Sequence, residues 1–378
     1  MIYLGVFTIV MTILMAAMVV RLQRALDTYK IKKNYTAALQ APSVSVCIPA
    51  RNETHAMTQC LERVLTSDYK KLEVIVFDDS STDDTSVLVR SFAHAGVRFV
   101  PGVALPEGWL GRNHALEVLA REASGTYVLF MDVDTNIQPT TVSQLVGHMM
   151  TEKLVMTSVL PGRSDTWRAS TLFGHLRYFW ELILSRRNAP AASSALWMID
   201  RHVLLDTLGG FTPHKNEVLP EEHIAAIVGP VGYHCLISNH TLGVTYEKKW
   251  RSQVETSRRL LFPMMGGMWY GALAGVFVLL LLNMPLGVLI AGLVGYALPL
   301  QVAGIWFTAF GMVVYGLYLR KIWPDRWWLG GLLWPYVILQ ELCLFVLSVW
   351  GYMRGSITWK GRSVTASPIR VDHLEINL

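Results

Sequence analysis

Apolar residues divide the chain into three stretches with different periodicities. Residues 2–20 form one uncharged apolar run, close to the ~20 residues that cross ~30 Å of hydrocarbon. Residues 260–351 form a second apolar block. Between them, over 43–250, short apolar runs alternate with stretches of helical spacing. Val44-Ser45-Val46-Cys47-Ile48-Pro49 reads as a buried strand that ends in the loop Ala50-Arg51-Asn52-Glu53. A helical pattern follows at 54–66, then a strand at 72–77 that closes on Asp78-Asp79-Ser80-Ser81-Thr82-Asp83. Helical spacing returns at 85–93, a strand at 97–100, a helix at 113–122 stopped near Gly125, and a strand at 127–131. This alternation predicts an α/β domain whose mostly parallel sheet is covered on both faces. Ligands bind beyond the carboxyl ends of such strands. Arg51, Asn52, Glu53, Asp78, Asp79, Asp132 and Asp134 all fall at that edge.

The flanking apolar stretches carry topological signals of their own. Arg21, Arg24, Lys30, Lys32 and Lys33 follow the first run at once. Positive residues stay cytoplasmic, so the amino terminus is expected outside and the residues after Arg21 in the cytosol. A cleaved signal peptide fits less well, because a basic n-region and a small-residue cleavage site after Val20 are both missing. In the second block, residues 264–282 are one expected span. Residues 286–319 are too long for one upright helix and marginal for two, with a break at Pro299 and Gln301. The last stretch, 327–352, contains Pro335, Gln340 and Glu341. A charge at bilayer depth costs roughly 2.5–3.5 kcal/mol on insertion scales for Asp, Lys or Arg. Glu341 therefore calls for a packed bundle interior or a re-entrant hairpin. Three or four C-terminal spans are expected, and a hairpin in the last stretch would keep both Arg320-Lys321 and the basic 354–362 segment cytoplasmic.

Composition agrees with a membrane protein that has a soluble part: 52% hydrophobic, 16% charged, mean hydropathy +0.35. The net charge of +5 is modest, and Lys and Arg cluster beside the apolar stretches. Anionic headgroups explain that placement better than nucleic acid, which is not an expected partner. The four cysteines have neither CxxC nor paired spacing, so reduced thiols in a cytosolic domain are expected.

The chemistry centres on Tyr127-Val128-Leu129-Phe130-Met131-Asp132-Val133-Asp134-Thr135. Strand side chains alternate faces, so Asp132 and Asp134 are expected to point the same way. Two like charges about 4 Å apart repel by roughly 4 kcal/mol at an effective dielectric near 20. A divalent cation or a shared proton between them would relieve that repulsion. A plain Asp-Thr helix cap is the structural alternative, as is a capped turn for residues 78–84.

The ordered motifs resemble the membrane-associated inverting glycosyltransferases of family 2, which have a GT-A, Rossmann-like nucleotide-sugar-binding domain. Pro49-Ala50-Arg51-Asn52-Glu53 is similar to the family's PxxNE loop, and Phe77-Asp78-Asp79-Ser80-Ser81-Thr82-Asp83 to VDDGSTD with Ser80 in place of Gly. Gly111-Arg112-Asn113-His114-Ala115-Leu116 resembles GKxxAL, and residues 130–135 contain the DxD. Leu208-Gly209-Gly210-Phe211 and Pro220-Glu221-Glu222-His223 resemble the GGF…ED pair. Ile357-Thr358-Trp359-Lys360-Gly361-Arg362 resembles the WxGR ending of lipid-modifying members, including carotenoid- and hopanoid-associated enzymes.

That resemblance implies donor-nucleotide contacts from Pro49, Arg51, Glu53, Asp78, Asp79, Arg112 and Asp132. It implies that Asp132 and Asp134 hold Mg²⁺ or Mn²⁺ against the donor diphosphate. A solvated surface Arg is an equal reading for Arg112. The catalytic base falls at Glu222, where the family has Asp; the extra methylene changes reach by about 1.5 Å and leaves Glu221 open as the alternative. At the place of the processive QxxRW motif stands Glu255-Thr256-Ser257-Arg258-Arg259, where only Arg258 fits. This favours transfer of a single sugar. Arg258 and Trp250 are candidate acceptor or diphosphate contacts, with an interfacial belt as the equal alternative. His214, His223, His234 and His240 lack ligand spacing and read as core or solvated groups.

The expected organisation is a transmembrane anchor at 1–21, a basic linker at 22–42, a GT-A domain at 43–259, a transmembrane region at 260–353 and a cytoplasmic tail at 354–378. The expected activity moves one sugar from a UDP- or GDP-sugar to a lipid-soluble acceptor at the cytoplasmic face of the cell membrane. A polyprenyl-phosphate sugar synthase is the near rival, and a transporter with a non-catalytic nucleotide-sensing domain the distant one. A NAD dehydrogenase is disfavoured because the first strand is not followed by G-x-G-x-x-G.

Overall fold

The computed structural model describes residues 2–31, 35, 41–164, 176–185, 190–247 and 250–364. Lys32, Lys33 and residues 365–378 of the expected tail lie outside the described residues. The chain divides into two compact units. The larger comprises Tyr29–Ser164, Arg186–Glu247 and Thr358–Leu378; the smaller comprises Met1–Thr28, Asp165–Ser185 and Lys248–Ile357.

In chain order the larger unit contains β1 (Val44–Ala50), β2 (Leu72–Asp78), β3 (Val97–Pro101), β4 (Tyr127–Met131) and the two-residue β5 (Thr135–Asn136). Then follow β6 (Met156–Leu160), the short β7 (Gly162–Arg163), β8 (Leu196–Asp200), β9 (Tyr233–Ile237) and the short β10 (Thr245–Tyr246). The main sheet has the order β3-β2-β1-β4-β8-β6-β9. β1 pairs parallel with β2 and β4, and β2 with β3, as the strand–helix alternation requires. β8 breaks the pattern by pairing antiparallel with both β4 and β6. The fold is thus α/β with a mostly parallel sheet, and the four strands read from sequence form one half of it.

The parallel strands are apolar on both faces because both are covered. Val46, Ile48, Val74, Val76 and Leu129 join one core cluster with Met57, Leu61 and Leu145 from the helices Thr54–Leu65 and Thr141–Glu152. Cys47, Ile75, Phe77, Val128 and Phe130 face the other, with Leu116 and Leu119 of the helix Gly111–Glu122 and Ile224 of the helix Pro220–Gly232. Phe130, Trp197 and Phe211 interlock at the centre of that second face, with ring centroids 4.4–6.0 Å apart.

The smaller unit opens with the helix Ile2–Thr28, which continues through Arg21 and Arg24. The basic linker expected from residue 22 therefore begins as helix. Among the described residues four helices are long and apolar enough to span a membrane: Ile2–Thr28, Trp269–Val294, Leu298–Ile322 and Trp334–Met353. The break expected at Pro299 and Gln301 lies at 295–297, and Pro299 sits in the first turn of the next helix, where its missing N–H leaves no bond unmade. Glu341 is 5% exposed and accepts a hydrogen bond from Trp180 Nε1 at 2.9 Å, as a packed interior requires. All four cysteines are free thiols.

Replacing Trp197 by Ala removes the largest fully buried side chain of the larger unit. It should cost about 3–5 kcal/mol and lower the thermal unfolding midpoint of the detergent-solubilised protein.

Candidate active site

The carboxyl ends of β1 and β2 leave the sheet side by side. Pro49 is in register with Phe77, and Ala50 with Asp78. The two loops that follow are cross-linked. Asn52 donates its N–H to Ser81 Oγ at 2.9 Å and accepts the Thr82 N–H on Oδ1 at 2.8 Å. Glu53 N–H donates to Thr85 Oγ1 at 2.8 Å. Ser80, which replaces a glycine of the resembling motif, adopts φ +54°, the left-handed region glycine occupies freely.

The acids of this second loop have separate tasks. Asp78 accepts hydrogen bonds from the Ser81 and Ser86 hydroxyls and from Ser81 N–H at 3.3 Å, so it secures the turn. Asp83 ties the starts of two helices, accepting from Thr54 N–H at 3.3 Å and Thr85 N–H at 3.1 Å. Burial works against its charge, but these hydrogen bonds hold its carboxyl down to about 2. Asp79 is only 3% exposed. Arg362 Nη1 lies 2.6 Å from its Oδ2 and Arg51 Nη1 4.0 Å from the same oxygen, while Oδ1 is buried without a hydrogen-bond partner. Burial raises the Asp79 carboxyl above its ordinary range, with Arg362 and Arg51 opposing. Glu53 is likewise raised by burial; its ion pair with Lys360 opposes the rise, and nearby Asp134 and Asp132 add to it.

The DxD acids do not lie on the strand, which corrects the alternation argument. β4 ends at Met131, and Thr135 N–H bonds back to the Asp132 carbonyl at 3.0 Å, so 132–135 is a turn. The alternation of burial nevertheless survives. Val133 and Thr135 are buried at 5% and 1% exposure, and Asp132 and Asp134 are half-buried between them. Carboxylate oxygens are the donor type that suits a hard divalent cation, and these two are half-exposed.

Arg112 is not a surface group. Its side chain is 12% exposed, with Nη2 3.6 Å from Asp132 Oδ1 and Nη1 3.1 Å from Glu221 Oε2. It also donates to the Ser194 carbonyl at 3.2 Å. The guanidinium thus links the DxD to the Glu221-Glu222 pair, which lies in the first turn of Pro220–Gly232 where acids suit the helix dipole. Glu221 is fully buried and Glu222 half-buried.

The segment that delivers this pair is held from Gly111–Glu122. Asn113 Nδ2 donates to the carbonyls of His214 at 2.8 Å and Glu217 at 2.7 Å. Glu117 Oε2 accepts Phe211 N–H at 2.6 Å under the turn Gly209-Gly210, whose φ values are +74° and +71°. Sequence spacing missed one convergence. His214 Nδ1 and His223 Nδ1 lie 3.0 and 2.9 Å from Glu217 Oε2. Burial would raise that carboxyl, but the two histidine contacts hold it below its ordinary range. Chain separations of three and six residues across a loop have no recognisable period. His234 instead meets His148 at 3.1 Å. Trp250 and Arg258 belong to the helix Trp250–Met264 of the smaller unit, where the Arg258 carbonyl accepts Ser348 Oγ at 2.6 Å.

Residues 45–207 match the family model described as Glycosyl transferase family 2. The chain is 32% identical over 111 residues to the UDP-Glc:alpha-D-GlcNAc-diphosphoundecaprenol beta-1,3-glucosyltransferase of Escherichia coli, covering 29% of this chain and 43% of that one. It is 32% identical over 152 residues to an N-acetylglucosaminyltransferase of Sinorhizobium fredii, covering 37% and 36%. The chain therefore spans less than half the length of these curated relatives. A mannosyltransferase structure from Pyrobaculum calidifontis, in complex with GDP-Man and Mn²⁺, superposes with a TM-score of 0.60 at 20% identity. That superposition covers 92% of this chain and 99% of the other, and it establishes a GT-A-like fold.

Arg112→Met would leave Glu221 buried without its cation and should cost about 3–5 kcal/mol of stability. Adding Glu221→Gln should recover part of that loss, giving a measurable coupling in a double-mutant cycle of unfolding.

Proposed function

Because residues 45–207 match the Glycosyl transferase family 2 model, we propose that the protein is a metal-dependent, inverting glycosyltransferase. In this reading it moves one sugar from a UDP- or GDP-sugar to a lipid-soluble acceptor. The observation that carries it is the Arg112 bridge, which brings Asp132 of the DxD and Glu221, the neighbour of the candidate base, onto one guanidinium. The apolar helices, and a relative whose name specifies a polyprenyl-linked acceptor, support a lipid acceptor and a multi-pass protein of the inner membrane, and the basic residues after the first apolar run support a cytoplasmic catalytic domain.

The roles follow from the burial of each side chain and from its place along the sheet edge. Glu221 gives one oxygen to Arg112 and is fully enclosed, so it positions. Glu222, one residue on and half-buried, takes the proton of the acceptor hydroxyl as the sugar carbon passes through an oxocarbenium-like state. Asp79 accepts from the base of the donor through Oδ1. Asp132 and Asp134 hold Mg²⁺ or Mn²⁺, which when bound supplies Lewis-acid stabilisation to the departing nucleoside diphosphate.

The direct test incubates purified protein with Mn²⁺, UDP- or GDP-sugars and lipid acceptors, and measures nucleoside diphosphate release together with glycolipid. Glu222→Gln should lower kcat by about 10²–10⁴ while leaving nucleotide affinity within about threefold. Retention of full activity by Glu222→Gln on a polyprenyl phosphate would favour the rival synthase, whose acceptor is already anionic. In a separate assay, Asp132→Ala/Asp134→Ala should abolish both turnover and its manganese dependence; turnover unchanged in that variant would sink the metal role.

A further inference from the structure

The last described residues return to the site from far along the chain. Thr358–Trp359 (β11) and Arg362–Ser363 (β12) pair antiparallel, with Trp359 opposite Arg362. The two residues between them, Lys360 and Gly361, have φ +46° and +82°. Positive φ at both central positions is the turn geometry that matches the right-handed twist of a hairpin. The turn thus projects Lys360 at its tip and Arg362 just behind it.

Both cations land on acids of the donor edge. Arg362 Nη1 is 2.6 Å from Asp79 Oδ2, and Lys360 Nζ is bonded to Glu53 Oε1 and to the Arg51 carbonyl. Arg51 returns the contact, donating Nε to the Lys360 carbonyl at 3.3 Å and bonding the Asp79 carbonyl through Nη1. The Arg362 guanidinium also lies where a Cβ on Gly111 would sit, so the start of Gly111–Glu122 must be bare for the hairpin to seat. Four hydrogen bonds, all within the larger unit, thus join the hairpin to Arg51, Glu53 and Asp79. They leave Asp79 Oδ1 buried without a hydrogen-bond partner.

We propose that the C-terminal hairpin is a wall of the donor-nucleotide pocket, in which Arg362 positions Asp79 and with it selects the base. This rests on the glycosyltransferase reading above. Asp79 Oδ1 can only accept, and the remaining N–H groups of Arg362 can only donate. Side by side they complement a base edge on which an N–H adjoins a C=O. Uracil and guanine present that edge; adenine and cytosine present a ring nitrogen acceptor beside an amino donor, which reverses both partners. Lys360 plays the matching part for Glu53, holding the loop that follows β1 against the hairpin.

The test is calorimetric titration of the full-length protein, in detergent with Mn²⁺, by UDP, GDP, CDP and ADP, alongside uridine and guanosine monophosphates. The unaltered protein should bind UDP or GDP at least tenfold tighter than CDP and ADP. Arg362→Gln should weaken the preferred nucleotide about 10–100-fold, weaken its monophosphate equally, and shrink the base preference below threefold. Arg362→Lys should recover part of the affinity, and the KM for the lipid acceptor should not move. Unchanged or tighter binding by Arg362→Gln would overturn the proposal, because the hairpin would then be irrelevant to the donor or a plug upon it. So would a uniform loss for all four diphosphates together with a lowered unfolding temperature, the mark of a merely structural contact. If the unaltered protein binds none of these nucleotides, the donor reading falls and this proposal with it.

Discussion

The structure of the larger unit is governed by the problem of gathering carboxylates at one edge of a sheet. Glu53, Asp79, the pair Asp132 and Asp134, and Glu221 arrive there from four different parts of the chain. At an effective dielectric near 20, each pair at contact distance would repel by roughly 4 kcal/mol. The chain answers with cations placed between them. Arg112 stands between Asp132 and Glu221, Arg51 and Arg362 converge on Asp79, and Lys360 meets Glu53. Such pairs gain little over apolar substitutes as stabilisers, yet losing one member is costly because the other charge stays buried. The arrangement therefore enforces a particular constellation more than it adds to the free energy of folding.

The scaffold makes that constellation possible by keeping every donor backbone short and registered. β1 and β2 run parallel and in register, so their following loops emerge together and can share hydrogen bonds. The helix Gly111–Glu122 serves as a second frame. Gly111 gives room, Arg112 bridges acids, Asn113 gathers loop carbonyls and Glu117 closes the Gly209-Gly210 turn. Four successive functions on one and a half turns explain why a segment with modest amphipathicity is nevertheless buried along most of its length.

Local pattern carried the first half of the fold. Each of the four strands at 44–50, 72–78, 97–101 and 127–131 is mostly apolar, and the helices between them keep their spacing. The second half was less legible for a physical reason. β8 runs antiparallel between β4 and β6, so no strand–helix rhythm announces it. At the site, the acids were visible as motifs, but their division of labour was not. Whether Asp78 or Asp79 faces a ligand depends on Ser81 and Ser86 reaching Asp78. That Glu221 is bound to Arg112, more than a hundred residues earlier, has no local signal in the sequence. Among the described residues three helices after the domain are long and apolar enough to span a membrane, and the interruption at 295–297 lies just before the expected break at Pro299 and Gln301.

The seating of the tail also orders the completion of the larger unit in time. Thr358–Trp359 and Arg362–Ser363 follow every strand of the main sheet in the chain, yet Lys360 and Arg362 bond Glu53 and Asp79, which lie at the ends of its first two strands. A chain emerging from the ribosome can pair those strands early, but Glu53 and Asp79 wait for these cations until about three hundred further residues have been made.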